Sequence, residues 1–249
     1  QPAPAQDINA IKADYRRPAQ HAVENQALAN LGRKLFFDTR ISASGKTACA
    51  SCHFPELGYV VTDAHPINDS GKPTSRKSQP LIGLGHAGSA LVGWDGRSAT
   101  LEAQAKSSIA TGSMSMRETS TPVDVKIIEE RVKSDSGYVA KFNAALPGQP
   151  IDIDTIAFAL AAFERTLEPA TTPFDRWVAG DETAISAAAK RGFALFNGKA
   201  ACVACHNGWR FTDDQFHDIG TTTTDQGRGK AAKDESLNFA FKTPTLRAV

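Results

Sequence analysis

The sequence predicts a mainly α-helical protein made of two similar helical domains with long loops, and three observations predict it. Apolar residues recur at spacings of three and four in several stretches, a short Gly-Leu-Phe pattern occurs twice, and no convincing series of alternating strands appears. A chain of 249 residues also fits a prior of one to two domains.

The first helix is expected over Gln20 to Phe37, where Leu28, Leu31 and Leu35 share one face. It ends before a turn-rich stretch, Asp38 to Lys46. Asp154 can cap a second helix with Ile156, Leu160, Phe163 and Leu167 as its stripe, stopped by Pro169 and Pro173. A third runs from about Thr183 to Asn197, with Ile185, Ala189, Gly192 and Phe196 on one side. The approaches Gly32-Arg33-Lys34-Leu35-Phe36 and Gly192-Phe193-Ala194-Leu195-Phe196 repeat Gly, Leu and Phe at identical spacing, which suggests two related halves. Val60 and Val61 could belong to a short strand. Asp63 to Pro80, rich in Pro, Gly, Ser and Asn, reads as a long surface loop, and loops of that length are often functional.

Composition excludes several classes. Hydrophobic residues at 41% and charged residues at 22% are globular values. With 28 basic against 27 acidic residues, no global field favours nucleic acid or an anionic membrane. The longest apolar run, Ile156 to Phe163, is far short of the roughly 20 residues a membrane-spanning helix needs. The start, Gln1-Pro2-Ala3-Pro4-Ala5-Gln6, polar and Pro-rich with no initiator Met, is as expected after cleavage of a signal peptide.

All four cysteines fall in two C-x-x-C pairs, each followed at once by His: Cys49-Ala-Ser-Cys52-His53 and Cys202-Val-Ala-Cys205-His206. That is the attachment motif of c-type haem. Two thiols bond to the two vinyl groups, and the next imidazole lies under the iron as its proximal ligand. A zinc site, redox dithiols or disulfides would not require the His. With only 6 His in the chain, a His directly after both pairs is improbable by chance. Two covalently bound haem c groups are therefore expected, with His53 and His206 as iron ligands, and haem of this kind is attached outside the cytoplasmic membrane.

With these motifs the chain resembles the bacterial dihaem cytochrome c peroxidases, whose relatives include the methylamine-utilisation enzyme MauG. The resemblance extends over Gly32 to Phe36 with Arg40-Ile41-Ser42, Trp94-Asp95-Gly96-Arg97, Leu101-Glu102-Ala103-Gln104 and Ala162-Phe163-Glu164-Arg165-Thr166-Leu167. It continues through Phe174-Asp175-Arg176, Lys190-Arg191-Gly192 and Phe241-Lys242-Thr243-Pro244-Thr245-Leu246-Arg247. It implies two cytochrome c-like domains: residues 1–165 with the peroxidatic haem, and residues 166–249 with the electron-transfer haem. The N-terminal helix is left free to pack on the second. It also implies that Arg97 and Arg247 bind cofactor, that Gln104 orients peroxide, that Trp94 relays electrons between the haems, and that a calcium ion sits between the halves. Core packing is the alternative for Trp94.

Three departures from the family pattern matter. Classical members cap the resting iron with a His in the loop after the first motif, where this chain reads Asp69-Ser70-Gly71-Lys72; His65 is the nearest candidate. The family's Glu beyond the glutamine falls in Gly112-Ser113-Met114-Ser115-Met116, which leaves Glu118, His65, His86 or water as the proton-transfer group. Met114 and Met116 are soft potential ligands or core fillers. Finally, the resemblance predicts a segment beyond Val249 that supplies the second iron's sixth ligand; His217 could lie near that iron or be structural.

The leading expectation is a periplasmic oxidoreductase that reduces hydrogen peroxide with electrons from a small redox protein, a cytochrome c or a cupredoxin. The alternatives are a MauG-like enzyme oxidising residues of a partner protein, towards which the missing loop His leans, and a dihaem electron carrier without enzymatic activity. Donor identity and homodimer formation are left open.

Overall fold

The computed structural model describes residues 7–88, 90–115 and 124–247. Its α-helices are α1 (Ile8–Asp14), α2 (Gln26–Phe36), α3 (Leu101–Ala110), α4 (Lys126–Lys133), α5 (Ser136–Ala145), α6 (Ile153–Glu164), α7 (Pro173–Val178), α8 (Ala187–Asn197) and α9 (Gly227–Ala232). Two short antiparallel strands, β1 (Phe216–His217) and β2 (Phe241–Lys242), form the sheet among the described residues. The molecule is mainly helical, as its sequence leads one to expect. It divides into two compact units, His21–Glu168 and a second built from the residues up to Gln20 and those from Pro169 onward.

Each of the three expected helices forms, and each starts at a different residue. Asn25, not Gln20, begins α2, because its side chain accepts from the Leu28 backbone N–H at 2.9 Å. Asp152, two residues before Asp154, caps α6: it accepts from the Thr155 N–H, and the Thr155 hydroxyl accepts the Asp152 N–H in return. The helix closes at Glu164, so Leu167 lies beyond it. Ser186 caps α8, while Thr183 hydrogen-bonds Asp181 in the preceding turn. Pro173 does not merely stop α6. It opens α7 behind a Thr172–Asp175 capping box, the position where proline is pre-organised for a helix.

In the unit His21–Glu168, α2 crosses α6 so closely that a Cβ on Gly32 would stand 1.8 Å from the Ala159 carbonyl oxygen. This approach buries Leu35 and Phe36 completely, with Ile109, Ile128, Tyr138, Ile156 and Leu160 completing the core. Val60 makes one isolated bridge with Phe54. The Asp63 to Pro80 loop holds no helix or strand, yet it is pinned: Asp69 is buried and accepts from the Ser44 backbone N–H at 2.9 Å.

The second unit is held by aromatic packing. Tyr15, Trp177 and Phe193 are buried together, with the Tyr15 and Phe193 rings 5.1 Å apart and edge-on. Lys12 lies 4.4 Å over the Trp177 ring and pairs with Glu182 at 2.7 Å. Gly192 of α8 has open space where Gly32 meets a backbone, and Leu195 is 54% exposed.

Candidate functional sites at the two cysteine–histidine motifs

The first motif begins in a single 3₁₀ turn, Cys49–Ser51, where the His53 backbone N–H returns to the Cys49 carbonyl at 3.0 Å. This turn sets both thiols and the imidazole at the wall of one cavity of about 560 Å³, within the roughly 300–1,000 Å³ range of cofactor sites. His53 Nδ1 lies 2.8 Å from the Tyr59 carbonyl oxygen. A carbonyl can only accept, so Nδ1 carries the proton and Nε2 is left with its lone pair. Burial pushes the His53 pKa down, against the opposing backbone contacts with Tyr59 and Gln79, which favours the neutral ring. Tyr59 reaches this position with φ +61°, an uncommon backbone conformation for an aromatic residue.

The thiols are also conditioned by burial. It raises the Cys49 pKa, with further raising by the nearby Glu164 carboxylate, and it raises that of Cys52. Among the described residues, Cys49, Cys52 and His53 do not gather closely enough to hold one small ion. Spread along a cavity wall instead, they suit a group that bonds at two edges and at its centre.

In the same cavity wall Gln104 projects from α3, its carbonyl accepting from Ser98 Oγ at 2.9 Å and its amide donating to Ser108 Oγ at 3.4 Å. Met114, 4% exposed, brings its sulfur to 3.9 Å from Cys49 Sγ. Trp94 lines the cavity and donates from Nε1 to the Lys77 carbonyl at 2.7 Å; half-exposed, it is no member of the core. Arg97 and Arg76 both line the cavity and both pair with Asp95. Burial alone would raise Asp95, but the hydrogen bonds from Arg97 and Arg76 outweigh it and hold the carboxyl at about 2.

Two candidates are not brought to the cavity. His65 is exposed and hydrogen-bonds the Thr74 carbonyl at 2.9 Å. His86 pairs with Glu168 at 2.6 Å. Neither lines the cavity wall. Glu118 and Met116 lie outside the described residues. Glu164, by contrast, does line the wall; a carboxylate on the apolar stripe of α6 was the sequence signal for it. Arg76, Tyr59 and Phe211 left no comparable signal.

The second motif repeats the first in detail. Its 3₁₀ turn is Cys202–Ala204, the His206 N–H returns to the Cys202 carbonyl at 2.9 Å, and His206 Nδ1 lies 2.9 Å from the Phe211 carbonyl. Phe211 has φ +52°, matching Tyr59. Arg247 is buried over the Phe211 and Trp209 rings, donating to Asp175 at 2.8 Å and to the Trp209 carbonyl at 2.7 Å. Among the described residues its buried Nη2 has no hydrogen-bond partner. His217 hydrogen-bonds Asp213 at 2.7 Å, and both lie beside Cys205.

Residues 26–183 match the family model described as di-haem cytochrome c peroxidase. The chain belongs to that family. It is 44% identical over 255 residues to the methylamine utilization protein MauG of Methylorubrum extorquens, covering 98% of this chain and 70% of that protein. It is 32% identical to the cytochrome c551 peroxidase of Pseudomonas aeruginosa, covering 88% of this chain and 64% of that one. A crystal structure of a MauG-like protein associated with microbial copper homeostasis superposes with a TM-score of 0.80 at 26% identity, covering 94% of this chain and 73% of the other. The chain is thus a haem-dependent oxidoreductase of the dihaem peroxidase family. Among the described residues no helix is long and apolar enough to cross a membrane.

Proposed function

We propose that this protein is a periplasmic dihaem c-type peroxidase that reduces hydrogen peroxide to water, with electrons from a small redox protein such as a cytochrome c or cupredoxin. One observation carries the reading: a neutral imidazole, its Nδ1 held by a main-chain carbonyl, shares one cavity with two thiols and an amide donor. Hydrogen peroxide, two electrons and two protons give two waters. The donor delivers electrons singly, which gives the second motif its purpose.

The donor set fits haem. Cys49 and Cys52 would hold one haem by thioether bonds with His53 as iron ligand, and Cys202, Cys205 and His206 would hold the other. Bound there, the haems supply the one-electron steps and the iron on which peroxide is reduced. Arg76 and Arg97 offer cations to the carboxylates of the first haem, and the orphaned Nη2 of Arg247 offers a donor beside the second. Gln104 presents an amide N–H for orienting peroxide, with Ser98 and Ser108 fixing the amide's direction. Met114 adds an apolar side chain beside Cys49. Trp94 is assigned the relay role, supported by its position outside the core. No calcium ligands are assigned.

Oxidation of a partner protein, as the MauG relatives suggest, is a second reading; the distance of His65 from the cavity favours it by leaving no His cap on the first iron. The test is mass spectrometry of the denatured holoprotein together with peroxide turnover using a reduced cytochrome c. Two haem masses and turnover lost in the Cys49→Ala/Cys52→Ala variant are expected. Full turnover in a variant lacking the first haem would overturn the assignment. Two low-spin irons with no peroxide reactivity would identify an electron carrier instead. Trp94→Phe should slow oxidation of the His206 haem after rapid mixing with peroxide, and an unchanged rate would remove the relay role.

A further inference from the structure

The buried face of α6 is apolar through Ile156, Leu160 and Phe163 and then places a carboxylate, Glu164, at the last helical residue. Glu164 is 9% exposed and lines the same cavity as Cys49, His53 and Gln104. Among the described residues its carboxylate has no ion pair and no hydrogen bond. The adjacent Arg165 turns away from it to pair with Glu102 of α3 at 2.7 Å. A buried acid is normally paired or hydrogen-bonded, so an unpartnered one aimed into a cofactor-sized cavity invites a functional explanation.

We propose that Glu164 is the proton store of this pocket: it binds one proton when the iron held by His53 gains one electron, and releases that proton when the electron leaves. The proposal rests on the reading that haem occupies this cavity. An added electron in a low-dielectric pocket raises the proton affinity of a nearby carboxylate, and by reciprocity protonation favours reduction. Electron and proton enter together, the electron from a one-electron donor and the proton from solvent, so the pocket's net charge stays constant.

The surrounding groups leave Glu164 suited to this task. Burial pushes its pKa up to about 8, with Arg165 opposing and Glu102 adding to the rise. It is therefore poised near neutral pH. Asp95, also on the cavity wall, is held ionised by its two arginines, Arg97 and Arg76, and Lys72 and Lys77 line the same wall. Cys49, the thiol that senses Glu164, is neutral as thiol or thioether. Gln104 and Met114 do not titrate.

Spectroelectrochemical titration of the holoprotein, using small one-electron mediators between about pH 6.5 and 9.5, tests this. The midpoint potential of the first haem should fall as pH rises, approaching 59 mV per tenfold change in proton concentration, about the one-proton, one-electron limit, across a window that brackets pH 8. Glu164→Gln should abolish that slope, while Glu102→Gln, which removes one contribution to the rise and frees Arg165, should shift the sloping window to lower pH. A redox-difference infrared spectrum of the wild type should gain a protonated-carboxyl band on reduction. A haem-loaded Glu164→Gln protein with the wild-type slope overturns the proposal, as does a wild-type spectrum without the band. Absence of haem mass on Cys49 and Cys52 in the wild type instead overturns the underlying reading and the proposal with it.

Discussion

The two units deliver their motifs with the same Gly-x-x-Leu-Phe approach, and they use it differently. In His21–Glu168, Gly32 touches the backbone of α6, and Leu35 and Phe36 are fully buried. In the second unit Gly192 faces open space and Leu195 is exposed. Cys49 is half-buried in the wall of a partly open cavity, whereas Cys202 is exposed. What the units share is local, namely the turn, the two thiols and the imidazole held by a carbonyl. What separates them is a crossing helix. A repeated motif thus specifies how a ligand is aimed, and long-range packing decides how closely it is enclosed.

The largest expected effect would break that contrast at the two glycines. Gly32→Ala should cost about 3 kcal/mol or more, since backbone must move to admit the methyl group. Gly192→Ala should instead stabilise by roughly 0.5–1 kcal/mol, from helix propensity in open space. Thermal denaturation of both holo variants measures this; equal losses would erase the distinction between the units. Next come the arginines. Arg247→Met leaves Asp175 buried and should cost about 3–5 kcal/mol, whereas the half-exposed Arg97 pair should be worth about 1 kcal/mol or less in the same measurement.

A pH effect belongs to the first unit. The folded Asp95 pKa, about 2, lies below its unfolded value near 4, so its contribution is complete above about pH 4 and is lost as pH falls towards 2. Acid unfolding of Asp95→Asn should show a shallower dependence over that window; an unchanged slope would mean the arginines do not act through this carboxylate. The smallest effect concerns His65→Ala. Exposed and away from the cavity, His65 should contribute within about 0.5 kcal/mol, and the resting spectrum should not change. A low-spin bis-histidine signal lost in that variant would restore His65 as the cap on the first iron.

Much of the scaffold was legible because α2, α6 and α8 carry strong apolar periodicity, and their starts were missed by two to six residues because several cap-capable side chains stand close together. Asp152 and Asp154 are an example: both are acidic, and only the reciprocal bond with Thr155 selects the first. Helices α3, α4 and α5 escaped because they are short or weakly amphipathic, and their stability comes from packing, α3 onto α6, α5 onto α2 and α4 onto α5. The cysteine–histidine motifs were fully legible. Their surroundings were only partly so: Gln104, Trp94 and Arg97 share the cavity, while His65 and His86 are satisfied elsewhere by Thr74 and Glu168. The backbone turns at Tyr59 and Phe211 could not be read at all, since neither residue type announces a positive φ.

Those two turns carry an implication for how the sites tolerate change. The acceptor that orients each imidazole is a main-chain oxygen, six residues after His53 and five after His206. No single side-chain exchange at Tyr59 or Phe211 removes it, because every amino acid carries that atom. Ligand orientation is thereby insulated from most point mutations, and is vulnerable to insertions or deletions that alter the length of the connecting loop.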